Sequence, residues 1–156
     1  ALREYPGPVD DTAGTPIPPA HLAAKLGAVE SLEVLVKEMG AGTSQTDGEG
    51  LLPLHHAAEA GHARVIEWLA ANDADVNARS ELTELTPLHF AAANGHTDAA
   101  QALLDAGAYP AALDARGWTP GNCAAERGNE AMVALLNAAT QPSQTAQAAS
   151  TKTSGE

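Results

Sequence analysis

Thr86-Pro87-Leu88-His89-Phe90-Ala91-Ala92-Ala93-Asn94-Gly95-His96 is the stretch whose reading decides the fold. Threonine before proline is a helix start: the hydroxyl accepts a backbone amide, and proline at the first turn sacrifices only an amide that has no intrahelical partner. Paired alanines follow, then a glycine that ends the helix. Beyond His96, Leu103 and Leu104 carry on with helical spacing. The unit therefore reads helix, glycine turn, second helix, and an extended loop closing on Gly107-Ala108.

The same unit recurs on both sides. Pro19, Pro53, Pro87 and Pro120 stand at intervals of 34, 34 and 33 residues. Pro53-Leu54-His55-His56-Ala57-Ala58 repeats the pattern almost letter for letter, and Pro19-Ala20-His21-Leu22-Ala23-Ala24 keeps its frame. Pro120-Gly121-Asn122-Cys123-Ala124-Ala125 is a looser fourth copy. Gly27, Gly61, Gly95 and Gly128 each follow their alanine pair by three residues. A fixed period of this length is the mark of a stacked solenoid. Inner helices are expected near 19–26, 53–60, 87–94 and 120–127, with outer helices near 29–38, 63–71, 97–105 and 130–138.

The Thr-Pro-Leu-His-x-Ala-Ala and Gly-His pattern resembles the ankyrin repeat. The resemblance implies an all-α solenoid of four helix-turn-helix repeats joined by short β-hairpin-like fingers. It covers residues 15–140, in units of about 15–46, 47–79, 80–113 and 114–140. Four departures stand out. Pro18 replaces the capping threonine of the first unit, and one extra residue lies near Met39. The finger before Pro87 is a residue longer, with Glu84 where the family has glycine, so its turn should deviate. Asn137 puts a polar group on the last outer helix, as an array end requires. Outside the units, residues 1–14 read as an irregular lead-in. Residues 141–156 are poor in bulky apolar groups and read as a disordered tail.

Composition narrows the partners. Twenty acidic against 8 basic residues give a net charge of -12, a field that repels nucleic acid. No apolar run reaches membrane-spanning length, and no signal-peptide core is evident. The expectation is a soluble, cytoplasmic monomer that binds a protein, with a basic segment of that partner meeting its acidic fingers. Aromatics make up only 3% of a chain that is 44% hydrophobic, so alanine and the aliphatics must form the core.

Six histidines invite a metal or catalytic reading. Five occupy repeat positions (His21, His55, His89, His62 and His96), and equivalent sites in stacked units lie about 8–10 Å apart, too far to share an ion. The resemblance assigns them structural bonds between helix and finger. His56 stands in the slot of Leu22, Phe90 and Cys123, read as packing between units or a partner contact. Cys123 has no histidine in its own unit, because Asn122 takes that place. No catalytic, cofactor-binding or metal-ligating residues are assigned.

Binding is instead expected on the concave surface of finger tips and inner helices, where the family's partner contacts gather. The matching finger residues are Glu49, Leu51, Thr83, Leu85, Arg116 and Trp118; on the inner helices they are Lys25, Leu26, Glu59, Asn94, Glu126 and Arg127. Leu51, Leu85 and Trp118 share one slot in three successive fingers. Tryptophan and arginine are the types most enriched at binding hot spots. Trp68, on an outer helix, is read as packing. The function expected is a non-enzymatic interaction module acting as adaptor, inhibitor or assembly chaperone. The alternative is a regulatory or targeting fragment of a larger enzyme whose catalytic part lies elsewhere.

Overall fold

A computed structural model describes residues 17–140; the lead-in and tail readings for 1–14 and 141–156 fall outside these residues. Among the described residues eight helices run in pairs: α1 Pro19–Leu26 with α2 Val29–Lys37, α3 Pro53–Ala60 with α4 Ala63–Ala71, α5 Pro87–Ala93 with α6 Thr97–Asp105, and α7 Pro120–Glu126 with α8 Glu130–Thr140. Every inner helix begins at its repeat proline. Thr86 and Thr119 cap α5 and α7, their hydroxyls accepting the amides of His89 and Asn122 at 3.4 and 3.1 Å.

The inner helices α1, α3, α5 and α7 stack in one row and the outer helices in a second. Alanine makes the close stacking possible. Ala24, Ala57, Ala58, Ala91, Ala92 and Ala124 are fully buried, so each inner helix presents nothing larger than a methyl at these positions. Leu32, Ile66, Leu69, Leu103 and Met132 fill the space between the two rows, all fully buried. Burying each such side chain stabilises by about 1.5–3 kcal/mol, so a core of this kind does not need aromatics.

Three fingers join the pairs, and no strand forms among the described residues. The expected hairpins are tight turns, each closed by one amide-to-carbonyl bond at 2.9 Å: Asp47 to Leu51, Ser80 to Leu85, and Asp114 to Trp118. Gly50 and Gly117 sit in the left-handed region three residues before the helix proline. Glu84 does too, at φ 57°, a conformation that costs a residue with Cβ about 1–2 kcal/mol. The extra residue widens that turn, so Glu84 donates its amide to Ser80 O, whereas Gly50 and Gly117 bond back over one residue fewer, to Asp47 O and Asp114 O. The deviation is local, since the closing bond is retained. Glu84→Gly is expected to raise stability by about 0.5–1 kcal/mol in urea unfolding, because the Arg79–Glu84 pair it removes is half-exposed and worth little.

Candidate partner-binding surface

Histidines fix the fingers to the helices. Among the inner helices His21 Nε2 lies 3.0 Å from both Gln45 O and Leu51 O, His55 Nε2 lies 3.1 Å from Leu85 O, and His89 Nε2 lies 2.8 Å from Trp118 O. Each ring thus holds the carbonyl of the shared finger slot one unit ahead. His62 and His96 work in the other direction, with Nε2 3.0 Å from Lys25 O and Glu59 O one unit behind. These rings press on Gly27 and Gly61, where a Cβ would come within 2.7 Å of an imidazole atom. The five repeat histidines are accordingly committed to backbone, and no group of three metal-ligating side chains gathers among the described residues.

A ring that donates from Nε2 while its Nδ1 accepts an amide is neutral, because an imidazolium carries N–H on both nitrogens. His55 Nδ1 accepts the Leu52 amide at 3.0 Å, and His89 Nδ1 accepts the Thr86 amide at 3.1 Å. Pro18 has no amide to offer, so His21 Nδ1 is buried without a partner. Burial lowers the pKa of all three rings, and takes His55 down to about 4.

The fingers are braced differently. Asp47 Oδ1 accepts the amides of Glu49 and Leu51, while its Oδ2 meets His56 Nε2 at 2.7 Å. Both side chains are 5% exposed, and the His56 ring lies edge-on to His21 at 5.7 Å. His56 therefore packs between units and also braces the first finger, a role that the sequence reading missed. An aspartate six residues before the proline was the available signal. Asp114 holds the third finger in the same way through the amides of Arg116 and Trp118, both at 2.9 Å. Its Oδ2 binds the Arg116 guanidinium at 2.8 Å. Burial would raise the Asp114 carboxyl, but the hydrogen bonds from Trp118 and Arg116 outweigh it and hold it below the usual value. Ser80 supplies only a hydroxyl to the middle finger, accepting the Leu85 amide at 3.0 Å.

Arg116, fixed at its root by Asp114, lies 4.2 Å over the Trp118 ring. A guanidinium stacked on an indole is a favourable pair that leaves one face of the cation outward. Beside it a groove of about 280 Å³ opens between α5 and α7. Six of the predicted residues line it: Glu59, Leu85, Asn94, Arg116, Glu126 and Arg127. Phe90 and Cys123 also line it and were not among the expected binding residues. Trp118 is half-buried beneath Arg116 and is not among the side chains that line this groove, whereas Arg127 is. Lys25, Leu26, Glu49, Leu51 and Thr83 lie outside this groove, although all but half-buried Leu51 are exposed. Leu82, at the tip of the lengthened finger, is 80% exposed and was not selected. The extra residue in that finger was its only signal.

The chemistry available here is adhesive. Burial raises the pKa of the Cys123 thiol, and its close cationic neighbour, Arg116 Nη2 at 3.8 Å, is already bound to Asp114. Trp68 is half-buried on the outer row, with Lys37 Nζ 5.9 Å from its ring centre. A family model of ankyrin repeats, many copies, matches residues 20–70, 54–104 and 88–136. The chain belongs to the ankyrin-repeat family. Ankyrin repeats are in general protein-binding modules, and the eight-helix stack is the solenoid the family implies. A search of curated proteins found no match. No helix among the described residues is long and apolar enough to cross a membrane.

Proposed function

We propose that this ankyrin-repeat chain is a non-enzymatic binding module that grips a protein partner on its concave surface, working as a monomer in the cytoplasm as adaptor, inhibitor or assembly chaperone. The Arg116–Trp118 pair carries this reading. Its geometry is fixed before any partner arrives, so little conformational entropy is lost on docking. A partner residue entering the adjacent groove meets Phe90 and Leu85, and a carboxylate beside it meets Arg116 or Arg127. A basic segment of the same partner suits Glu49, Glu59, Glu81 and Glu84, all exposed.

Trp118→Ala is expected to weaken binding by more than about 1–2 kcal/mol, the range of a hot spot. The indole is only half-buried, so thermal stability should change far less than for a core truncation. Calorimetric titration of the partner against both proteins checks this. Unchanged affinity would remove the third finger from the binding site.

A further inference from the structure

Leu82 is the most exposed large apolar side chain among the described residues, at 80%. Single leucines on a surface are ordinary, so the backbone that presents this one decides its meaning. The two residues beside it are pinned in opposite directions. Glu81 donates its amide to Gly50 O in the first finger at 3.2 Å, and Thr83 O accepts the Ala115 amide of the third at 3.0 Å. The turn is also closed within itself. Ser80 is buried and accepts the Glu84 amide on its carbonyl and the Leu85 amide on its hydroxyl, both at 3.0 Å. That hydroxyl lies 2.8 Å from Thr83 Oγ1. Leu82 therefore stands on a fixed backbone between two anchored neighbours, with its side chain in solvent.

Neither of the other fingers carries such a side chain. At its tip the first has Gly48 and Glu49, and the third has Ala115 and Arg116. The middle finger is the one with an extra residue, and its turn holds Glu84 in the left-handed region at φ 57°. The shorter turns place glycine there, as Gly50 and Gly117, and avoid the strain. Strain kept in an exposed turn that presents an outward leucine fits recognition better than folding. Carboxylates flank the leucine. Glu81 and Glu84 lie on the same finger and Glu49 on the neighbouring tip, all exposed, with Arg79 offsetting Glu84 at 3.0 Å.

We propose that Leu82 is a preformed knob that inserts into an apolar pocket on a protein partner, and that lysine or arginine rims the pocket. The proposal rests on the reading of the chain as a protein-binding module, but it uses neither the groove nor the Arg116–Trp118 pair. The basic rim follows from Glu49, Glu81 and Glu84, since a pocket edge without cations would desolvate them and leave them unpaired. A pinned backbone has little freedom left to lose, so burial of the leucine passes largely into affinity. That burial corresponds to on the order of ten- to a hundredfold in Kd.

A diazirine analogue of leucine at position 82 tests the contact with little change in side-chain shape. Irradiation in an extract of the source cells is expected to give an adduct whose cross-linked peptide holds apolar residues with lysine or arginine beside them. Capture alone does not support the proposal. The captured protein, prepared pure, must also bind Leu82→Ser with a Kd raised about tenfold or more. Leu82→Met keeps the apolar reach and should stay within about threefold. Glu81→Lys combined with Glu84→Lys should slow association and flatten its dependence on salt. Because Leu82 is exposed, Leu82→Ser should leave the urea midpoint in place. A midpoint shift that accounts for the loss of binding would make Leu82 a structural residue and overturn the proposal. So would the absence of an adduct, an adduct on a segment without basic residues, or unchanged affinity of Leu82→Ser. An adduct from position 94 on the groove with none from position 82 would keep the groove and sink the knob, and the reverse would keep the knob and sink the groove.

Discussion

Leu69→Ala is expected to destabilise the protein by about 2–5 kcal/mol, a large share of what a small domain possesses. Leu69 lies on α4 with no exposed surface, in a core built largely of alanine and leucine. Small neighbours on short helices have little side-chain length with which to reach into the space left behind, so the upper half of that range is expected. The site is also central. In a linear stack each unit is held by its neighbours, and a weakened second unit loosens both the first and the third. Urea unfolding followed by circular dichroism measures the loss directly. A change of a few tenths of a kcal/mol would mean that the helix presents a different face to the core.

Gly61→Ala should be nearly as costly, about 3 kcal/mol, for two separable reasons. The residue has φ +84°, which disfavours any Cβ by about 1–2 kcal/mol. The added methyl would also lie 2.7 Å from His96 Cγ and Nδ1, pushing away the ring that bonds Glu59 O. Gly128 separates the two terms. Its φ is +77°, yet a Cβ there meets nothing within 4 Å, because no further unit among the described residues sits on it. Gly128→Ala should therefore cost only the backbone term, about 1–2 kcal/mol. Paired unfolding curves check the difference, and equal losses at both positions would show that the histidine contact has no energetic weight.

Much of the fold was legible because its signals repeat. Proline, alanine pair and glycine each mark a backbone event, and four copies place all eight helices within about two residues of the expected ends. The five repeat histidines were legible through the family pattern, but their directions were not: nothing local says that His89 reaches forward to Trp118 and His96 backward to Glu59. Those bonds span 29 and 37 residues and exist only once the units stack. The Asp47–His56 pair lies within one unit and was missed for a different reason: the aspartate belongs to a finger and the histidine to the helix after it, and the period does not say how the finger folds back on that helix. On the surface, the slot pattern named residues on the fingers and inner helices but not how they group. Arg116, Glu126 and Arg127 share the groove with Phe90 and Leu85, whereas Trp118 lies under its arginine. Such grouping depends on side-chain rotamers and on the stagger between fingers, which the repeat period does not encode.

The central claim is that a protein partner docks on the concave side. Site-specific photocrosslinking tests it with one readout, using a photoreactive residue at position 94 on the groove and, in a second protein, at position 67 on the outer row. Both positions are exposed, so neither substitution should disturb the core. Position 94 is predicted to form a covalent adduct with the partner and position 67 none. Adducts from position 67 alone would place binding on the convex side and contradict the account.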